Sequence, residues 1–260
     1  MTEIAYSVNA GVARIVIDRP ERLNALGPPQ RLQVIGYLDE AARSHDVRVV
    51  VISAVGRAFC SGGDLSGTGE PVERVAGDIG ATVRSAQALI SAVLDCPKPV
   101  VAVVNGIAAG MGAQFALSAD FVVASTQARF AELFITRGIV PDAGAAYLLP
   151  RLVGLHLARQ LLLLGGDLAL EDALRLGILY KLVEPEKLDA TVEELVQRLA
   201  SGPTVAIGLT KRLLNSSLDE GRPASFEREQ LAVEVNAHSA DSAEGLRSFR
   251  DKRRPAFEGR

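Results

Sequence analysis

The chain has no tryptophan, only two cysteines, few aromatic residues (5%) and no long basic stretch. The cysteines, Cys60 and Cys96, are too few for a disulfide framework, which fits the reducing cytoplasm. No apolar stretch reaches the ~18 residues of a membrane span, and residues 1–4 lack the basic and apolar regions of a targeting signal. A net charge of −3 without a basic stripe makes nucleic acid a poor partner. We therefore expect a cytoplasmic protein that binds neither a membrane nor nucleic acid.

The chain does have enough apolar sequence, 48% of 260 residues, to bury a substantial core. Runs of β-branched residues at 12–17, 47–52 and 99–104 predict strands, the last two buried on both faces. Apolar residues spaced by three or four at 30–43 and 79–93 predict helices between these strands. Strands and helices alternate in this way through about residue 150, which predicts an α/β fold with crossover connections.

The first predicted helix illustrates the spacing. Leu32, Ile35, Leu38 and Ala42 recur every three or four residues, so we predict that they form its buried face. After residue 150 the spacing is helical almost throughout. This predicts a C-terminal helical layer that packs on something else, such as another subunit.

Two glycine-rich turns each follow a predicted strand and precede a predicted helix. The first is FCSGGDL at 59–65 and the second is NGIAAGMG at 105–112. Glycine permits close approach of the backbone to a ligand, and a helix N-terminus adds unpaired N–H groups and a positive dipole end. Two such turns facing each other can donate two N–H groups to one oxygen, as an enolate requires. Each turn by itself is equally consistent with glycine packing a strand against a helix.

Several strings occur in a recognisable order. They are RPERLNAL at 19–26, GRAFCSGGDL at 56–65, KPVVAVVNG at 98–106, GIVPDAG at 138–144 and FRDKR at 249–253. Together they resemble the crotonase family, the enoyl-CoA hydratase and isomerase superfamily, over nearly the whole chain. The resemblance implies a crotonase-like ββα spiral core that binds acyl-CoA over residues 1–200. It also implies a C-terminal helical trimerisation region over 201–260, in a homotrimer or a dimer of trimers.

The same resemblance implies where a substrate would bind. The oxyanion-hole N–H groups would come from Gly63 and from Met111, which stands where glycine is common and still donates through its backbone. Coenzyme A, which is part of the substrate and not a separate cofactor, would contact residues near both turns. These residues are Arg22, Leu23, Ala25, Ser61, Asp64 and Leu65, with Phe249 and Lys252 near the CoA end, where a cation can pair with phosphate. Asp64 is also placed to cap the turn that follows it.

The sequence departs from the family at two positions. Hydratases of the family carry two glutamates, because adding water needs one group to activate the water and another to supply a proton. Gln114 and Phe134 stand at those positions here. Gln114 can form hydrogen bonds to a substrate but cannot titrate, and Phe134 tends to exclude water. Glu132, two residues before the second position, would need a different register to replace the missing glutamate.

One carboxylate stands out instead, Asp142 in the apolar string IVPDAG at 139–144. Isomerase-type members of the family carry an aspartate in a similar turn, where it acts as acid and base. Desolvation raises a carboxyl pKa and makes the group a stronger base. The structural alternative is a helix cap, because aspartate is a favoured N-cap and a helix is predicted to follow at 145–149.

We therefore predict an enoyl-CoA isomerase in which Asp142 moves a proton and the oxyanion hole holds the dienolate. Two alternatives stay open: hydratase, hydrolase or lyase activity on an unusual acyl-CoA, and acyl-CoA binding without chemistry. No metal is predicted, because His45, His156 and His238 lack ligand spacing. We expect Cys60 to pack in the core rather than act as a nucleophile.

Overall fold

Residues 3–64 and 78–260 are described by a computed structural model, in which helices surround two β-sheets. The strands in these ranges are β1 Ile4–Asn9, β2 Val12–Ile17, β3 Val49–Ala54, β4 Ala58–Cys60, β5 Val100–Val104, β6 Ile107–Ala109, β7 Phe121–Ser125, β8 Arg129–Glu132, β9 Gly166–Leu168 and β10 Lys181–Val183. The helices are α1 Pro28–Arg43, α2 Asp78–Asp95, α3 Met111–Leu117, α4 Ala145–Val153, α5 Leu155–Leu164, α6 Leu170–Arg175, α7 Leu188–Ala200, α8 Thr204–Ser216, α9 Arg222–Ala237 and α10 Ala240–Arg250. None of the helices in this part of the chain is long and apolar enough to cross a bilayer.

The larger sheet has six strands in the order β1-β2-β3-β5-β7-β10. β1 pairs antiparallel with β2, and all other neighbours are parallel. In β3 the side chains of Val50 and Ile52 join one hydrophobic core, while Val49 and Val51 join a second core on the other face. Since both faces are covered, this strand is apolar at consecutive positions, as a buried parallel strand requires.

Helices cover the two faces of this sheet unequally. The larger core includes buried residues of α1, α2 and α3, and the smaller core lies under α7. In α7 the buried residues Leu188, Val192, Leu195 and Val196 recur at helical spacing. Each such leucine or valine contributes about 1.5–3 kcal/mol when it leaves water, so α7 is held to the sheet by its apolar stripe.

The smaller sheet has four strands in the order β4-β6-β8-β9. β4, β6 and β8 run parallel, and β9 is antiparallel to β8. β4 leads directly into the first glycine turn and β6 into the second. Because carboxyl ends of parallel neighbours meet at one sheet edge, this small sheet places the two turns side by side.

The C-terminal part of the chain is helical, as predicted. Helix α9 buries none of its residues. Large apolar side chains are exposed on and between α8, α9 and α10, namely Leu214, Leu218, Phe226, Leu231, Val233, Val235, Leu246 and Phe249. Apolar surface of this kind marks an interaction face, and trimer formation stays a prediction.

The predicted α/β fold with a helical C-terminal region is confirmed. The predicted buried face of α1 is wrong in part. Leu32 is 65% exposed, and the buried residues of this helix are Arg31, Val34, Leu38 and Ala41. The buried face of the helix is shifted by about one residue from the predicted face. It includes Arg31, a position that the apolar pattern assigns to the solvent side.

Candidate active site

A cavity of about 250 Å³ opens where the two glycine turns meet. Its walls come from the start of α1, both turns, one side of α2 and the segment 133–142. The lining residues are Pro28, Arg31, Ser61, Gly62, Gly63, Asp64, Thr82, Ala86, Ala109, Gly110, Met111, Leu133, Phe134, Arg137, Ile139 and Asp142. Most of these residues are apolar or glycine, so the buried Arg31 and the partly buried Asp142 have mainly apolar neighbours.

The two turns touch because β4 and β6 are parallel neighbours. A Cβ atom on Gly62, whose φ is +111°, would lie 3.0 Å from the Ala109 carbonyl oxygen and 4.0 Å from the Met111 nitrogen. A Cβ atom on Gly112 would overlap the carbonyl of Cys60. Glycine at both positions therefore lets the backbone of the first turn press against the start of α3.

The N–H groups of Gly63 and Met111 donate to no acceptor among the described residues. Gly63 forms an isolated bridge with Leu26, but the bonds there run from the Leu26 N–H to the Gly62 carbonyl (3.0 Å) and from the Asp64 N–H to the Leu26 carbonyl (3.4 Å). Met111 is the first residue of α3, where N–H groups have no acceptor within the helix. Both residues line the cavity, so two available donors lie at its wall.

Asp142 is partly buried in the wall of the same cavity. Helix α4 begins at Ala145 with Gly144 as its N-cap, and the Asp142 carbonyl, not its side chain, accepts from the Ala145 N–H (3.0 Å). The structure thus gives no support to the helix-cap alternative. Burial raises the pKa of Asp142, and the positive charge of Arg31 opposes that shift.

Comparison with known proteins now identifies the family. The sequence matches the family described as enoyl-CoA hydratase/isomerase over residues 7–260. The chain belongs to the enoyl-CoA hydratase/isomerase family. A relative named 1,2-epoxyphenylacetyl-CoA isomerase, from Escherichia coli (strain K12), is 35% identical over 261 residues and covers 100% of both chains. A trans-2-decenoyl-[acyl-carrier-protein] isomerase from Streptococcus mutans is 37% identical over 264 residues, covering 99% of this chain and 98% of its own.

A solved structure agrees with this assignment. The crystal structure of an enoyl-CoA hydratase from Bacillus anthracis superposes with a TM-score of 0.91, at 27% identity, covering 100% of both chains. The crotonase-like fold is therefore shown. Family members named as hydratases and as isomerases both resemble this chain, so the reaction has to be argued from the site.

Gln114 and Phe134, which the resemblance aligns with the two hydratase glutamates, carry no titratable group. Phe134 lines the cavity, and its ring lies 3.5 Å from the point where a Cβ on Gly110 would sit. Gln114 is fully buried and does not line the cavity, because its Nε2 donates to Glu132 Oε1 (2.7 Å). The prediction that Gln114 contacts substrate stays a prediction, and this hydrogen bond holds its amide away from the cavity.

Glu132 is a buried partner for Gln114 rather than a wall of the cavity. Its side chain is 2% exposed, and burial raises its pKa to about 7. Within the described part of the chain, Oε2 of Glu132 and Oε1 of Gln114 both lack a hydrogen-bond partner. One proton on Glu132 would let the two groups pair reciprocally, as a carboxylic acid pairs with an amide.

Residues predicted to contact coenzyme A lie around the first turn. Ser61 and Asp64 line the cavity. Leu23 and Arg22 lie beside them, because the Ser61 N–H donates to the Leu23 carbonyl (3.0 Å) and Ser61 Oγ to the Arg22 carbonyl (3.5 Å). Leu65, predicted to be a further contact, lies outside the described residues.

The segment that carries these contacts is held in place by polar side chains. Asn24, with φ +57°, accepts from the Arg19 N–H at 2.9 Å and donates to the Ala58 carbonyl at 2.7 Å. The Arg19 guanidinium donates to the carbonyl of Ala25 and pairs with Asp64 (3.1 Å). These hydrogen bonds and the ion pair between Arg19 and Asp64 hold residues 19–26 against the first turn.

Phe249 and Lys252 do not reach the cavity within one chain. Phe249, in α10, is 84% exposed, and Lys252, just after α10, is exposed with φ +53°. Their predicted contact with the CoA end stays a prediction.

Sequence reasoning missed Arg31, which lines the cavity at 4% exposure. Its Nε donates to the Leu26 carbonyl and its Nη1 to the Thr82 carbonyl, each at 3.0 Å. The sequence signal that could have identified Arg31 is its spacing. It stands three residues before Val34 and seven before Leu38, which places it on the buried face of α1. Cys60, in contrast, behaves as expected, because burial raises the pKa of its thiol to about 11 and removes it as a nucleophile.

Proposed function

We propose that this protein is an enoyl-CoA isomerase in which Asp142 is both acid and base. The observation that carries the proposal is the composition of one cavity. It holds two backbone donors, at Gly63 and Met111, that have no acceptor among the described residues, a partly buried carboxyl group, and phenylalanine where a second carboxylate would assist water. That combination favours proton transfer over hydration.

The two N–H groups would bind the thioester oxygen of the substrate. When a proton leaves the α carbon, that oxygen gains negative charge, and donors already fixed in place stabilise the enolate more than the ground-state carbonyl. Removal of one such donor typically costs about 3 kcal/mol of transition-state stabilisation. Since the donors are backbone groups, Met111 serves here as well as glycine.

Asp142 would then move the proton. Its carboxylate takes a proton from the α carbon of a 3-enoyl thioester, the double bond electrons delocalise as a dienolate, and the same carboxyl returns the proton to the γ carbon. The product is the 2-enoyl isomer, and no water or redox partner is consumed. The burial that raises the pKa of Asp142 strengthens it as a base.

Two relatives support isomerisation by their names, one acting on an epoxyphenylacetyl-CoA and one on a decenoyl carrier-protein thioester. Hydration, the reaction named for other members, would need a second titratable group that Gln114 and Phe134 do not provide. We also propose that the substrate is an acyl-CoA and that the chain assembles through α8–α10 as a trimer or a dimer of trimers in the cytoplasm.

The test is Asp142→Asn, assayed by isomerisation of 3-enoyl-CoA and by exchange of the α hydrogen with deuterated water. We expect both rates to fall by about 10³-fold or more, with acyl-CoA affinity changed less than threefold. Asp39→Asn, an exposed aspartate on α1, is the matched control. Full activity of Asp142→Asn would refute the proposal.

A panel of linear, cyclic and epoxide-bearing thioesters, followed by mass spectrometry, separates the remaining possibilities. Products heavier by one water would show hydration. Tight binding without any product, and without a difference between wild type and Asp142→Asn, would show a binding protein.

A further inference from the structure

Arg31 is a buried cation in a cavity with mainly apolar walls. Its Nε and Nη1 are fixed by the carbonyls of Leu26, beside the first turn, and Thr82, in α2. Among the described residues no carboxylate forms an ion pair with it, and Asp142 acts on it through charge at longer range. A desolvated charge without a counter-ion is costly, so its presence here calls for a functional explanation.

Arg31 lies next to one of the two proposed oxyanion donors. A Cβ on Gly63 would be 3.2 Å from Arg31 Nη2. Because N and Cβ of one residue are about 2.5 Å apart, Nη2 lies within about 6 Å of the Gly63 nitrogen. The guanidinium is therefore close to the point where the thioester oxygen would gain charge, in a space where charges interact strongly.

Arg31 also acts on the proposed base. It lowers the pKa of Asp142, and Asp142 raises the pKa of Arg31, in each case against a larger effect of burial. Among the residues that the structure describes, the other charged groups at this cavity are Asp64, which is paired with Arg19, and Arg137, which is exposed to solvent. Arg31 is thus a buried cation that lies beside the Gly63 donor and also lowers the pKa of Asp142.

We propose that Arg31 is a further residue of the isomerase site, whose fixed charge stabilises the enolate at Gly63 and the carboxylate of Asp142 in turn. The inference rests on the proposed function. Before proton transfer the negative charge is on Asp142, and after it the charge is on the thioester oxygen. The guanidinium, held by two backbone carbonyls beside Gly63, stabilises the developing enolate more than the Asp142 carboxylate, and this difference is what speeds the reaction.

The competing explanation is that Arg31 only ties α1 to α2. Arg31→Met removes both the charge and the ties, whereas Arg31→Lys keeps the charge and loses the bidentate anchoring. Arg43→Met, on the exposed face of the same helix, controls for loss of an arginine from α1. Urea unfolding and circular dichroism of each variant establish that it is folded.

We expect Arg31→Met to lower kcat/KM by about 30-fold or more. We also expect the acid limb of its pH–rate profile to move to higher pH, because Asp142 without the nearby cation is protonated until a higher pH. Arg31→Lys should recover most of the rate and return the limb toward the wild-type position. Acyl-CoA affinity should change less than threefold.

Two results would overturn the inference. In the first, Arg31→Met is folded and fully active. In the second, Lys and Met variants are equally impaired with an unshifted acid limb, which is the behaviour of a structural tie. Asp142→Asn measured in parallel separates the claims: if it is inactive while Arg31→Met is normal, only the role of Arg31 fails, and if it is fully active the proposed function fails.

Discussion

Glu132 makes the stability of this protein depend on pH in a direction opposite to that of a paired surface carboxylate. Its carboxyl group is buried beside Gln114, and burial raises its pKa from 4.5 to about 7. Below pH 4.5 the folded and the unfolded chain both carry the proton, so the contribution of this group to folding is complete.

Between about pH 4.5 and 7 the unfolded chain has lost the proton and the folded chain still holds it. Raising the pH then favours unfolding, by about 1.4 kcal/mol for each pH unit. The full interval lowers the free energy of unfolding by about 3 kcal/mol. Above the folded-state pKa both states are ionised and the loss stops.

Glu132→Gln removes this dependence while keeping the shape of the side chain. An amide can accept from Gln114 Nε2 and donate to Gln114 Oε1, so the pair stays satisfied at every pH. We expect the variant and the wild type to have similar free energies of unfolding at pH 5. At pH 8 the variant should be more stable by about 2–3 kcal/mol.

Urea unfolding at pH 5, 6, 7 and 8, at one fixed protein concentration because of possible assembly, measures the difference. Asp120 and Asp142 also have raised pKa values through burial, and their contributions cancel when the two proteins are compared. Glu186→Gln, at an exposed site, controls for the loss of one charge. If the free energy of unfolding changed with pH equally in the wild type and in Glu132→Gln, the reasoning would be refuted.

Two further predictions follow from packing. Gly112→Ala should destabilise the chain by about 1–3 kcal/mol and lower activity, because its Cβ would overlap the Cys60 carbonyl. The control is Gly36→Ala, where a Cβ meets nothing within 4 Å. In urea unfolding the control should be neutral or stabilising. The exposed apolar residues of α8–α10 predict assembly, so sedimentation should give the mass of three or six chains, and Leu231→Glu should lower it. Equal stability of the two alanine variants, or a wild-type monomer, would contradict the respective prediction.

The fold could be predicted where elements were long. The apolar runs of β2, β3 and β5 and the apolar spacing within α1 and α2 span enough residues to indicate the type of element. The smaller sheet could not be predicted, because β4, β6 and β9 have three residues each. A period of two needs more positions than that, so the sequence predicts the residues of β4 and β6 only as parts of the glycine-rich turns.

The site could be predicted in part, for a physical reason. The resemblance to the family points to Gly63, Met111 and Phe134, the apolar surroundings of Asp142 add to its case, and the structure brings all four residues to one cavity. Arg31 was missed because its role depends on distant partners. Nothing near it in the sequence shows that the Thr82 carbonyl will accept a hydrogen bond from it or that Gly63 will leave space for its guanidinium.

A few side chains at the site decide which reaction a shared fold performs. In this chain the first glutamate position is Gln114, held by Glu132, whose own raised pKa keeps it largely neutral below about pH 7. The second position is an apolar ring. On this alignment the cavity lacks the carboxylates expected of a hydratase, and the proposed base is Asp142, which acts beside Arg31, a cation without an ion-pair partner among the described residues. Two carboxylates can position a water molecule and supply both its activation and a proton, whereas one carboxylate is sufficient to carry a proton from one carbon to another, which is the proposed double-bond shift.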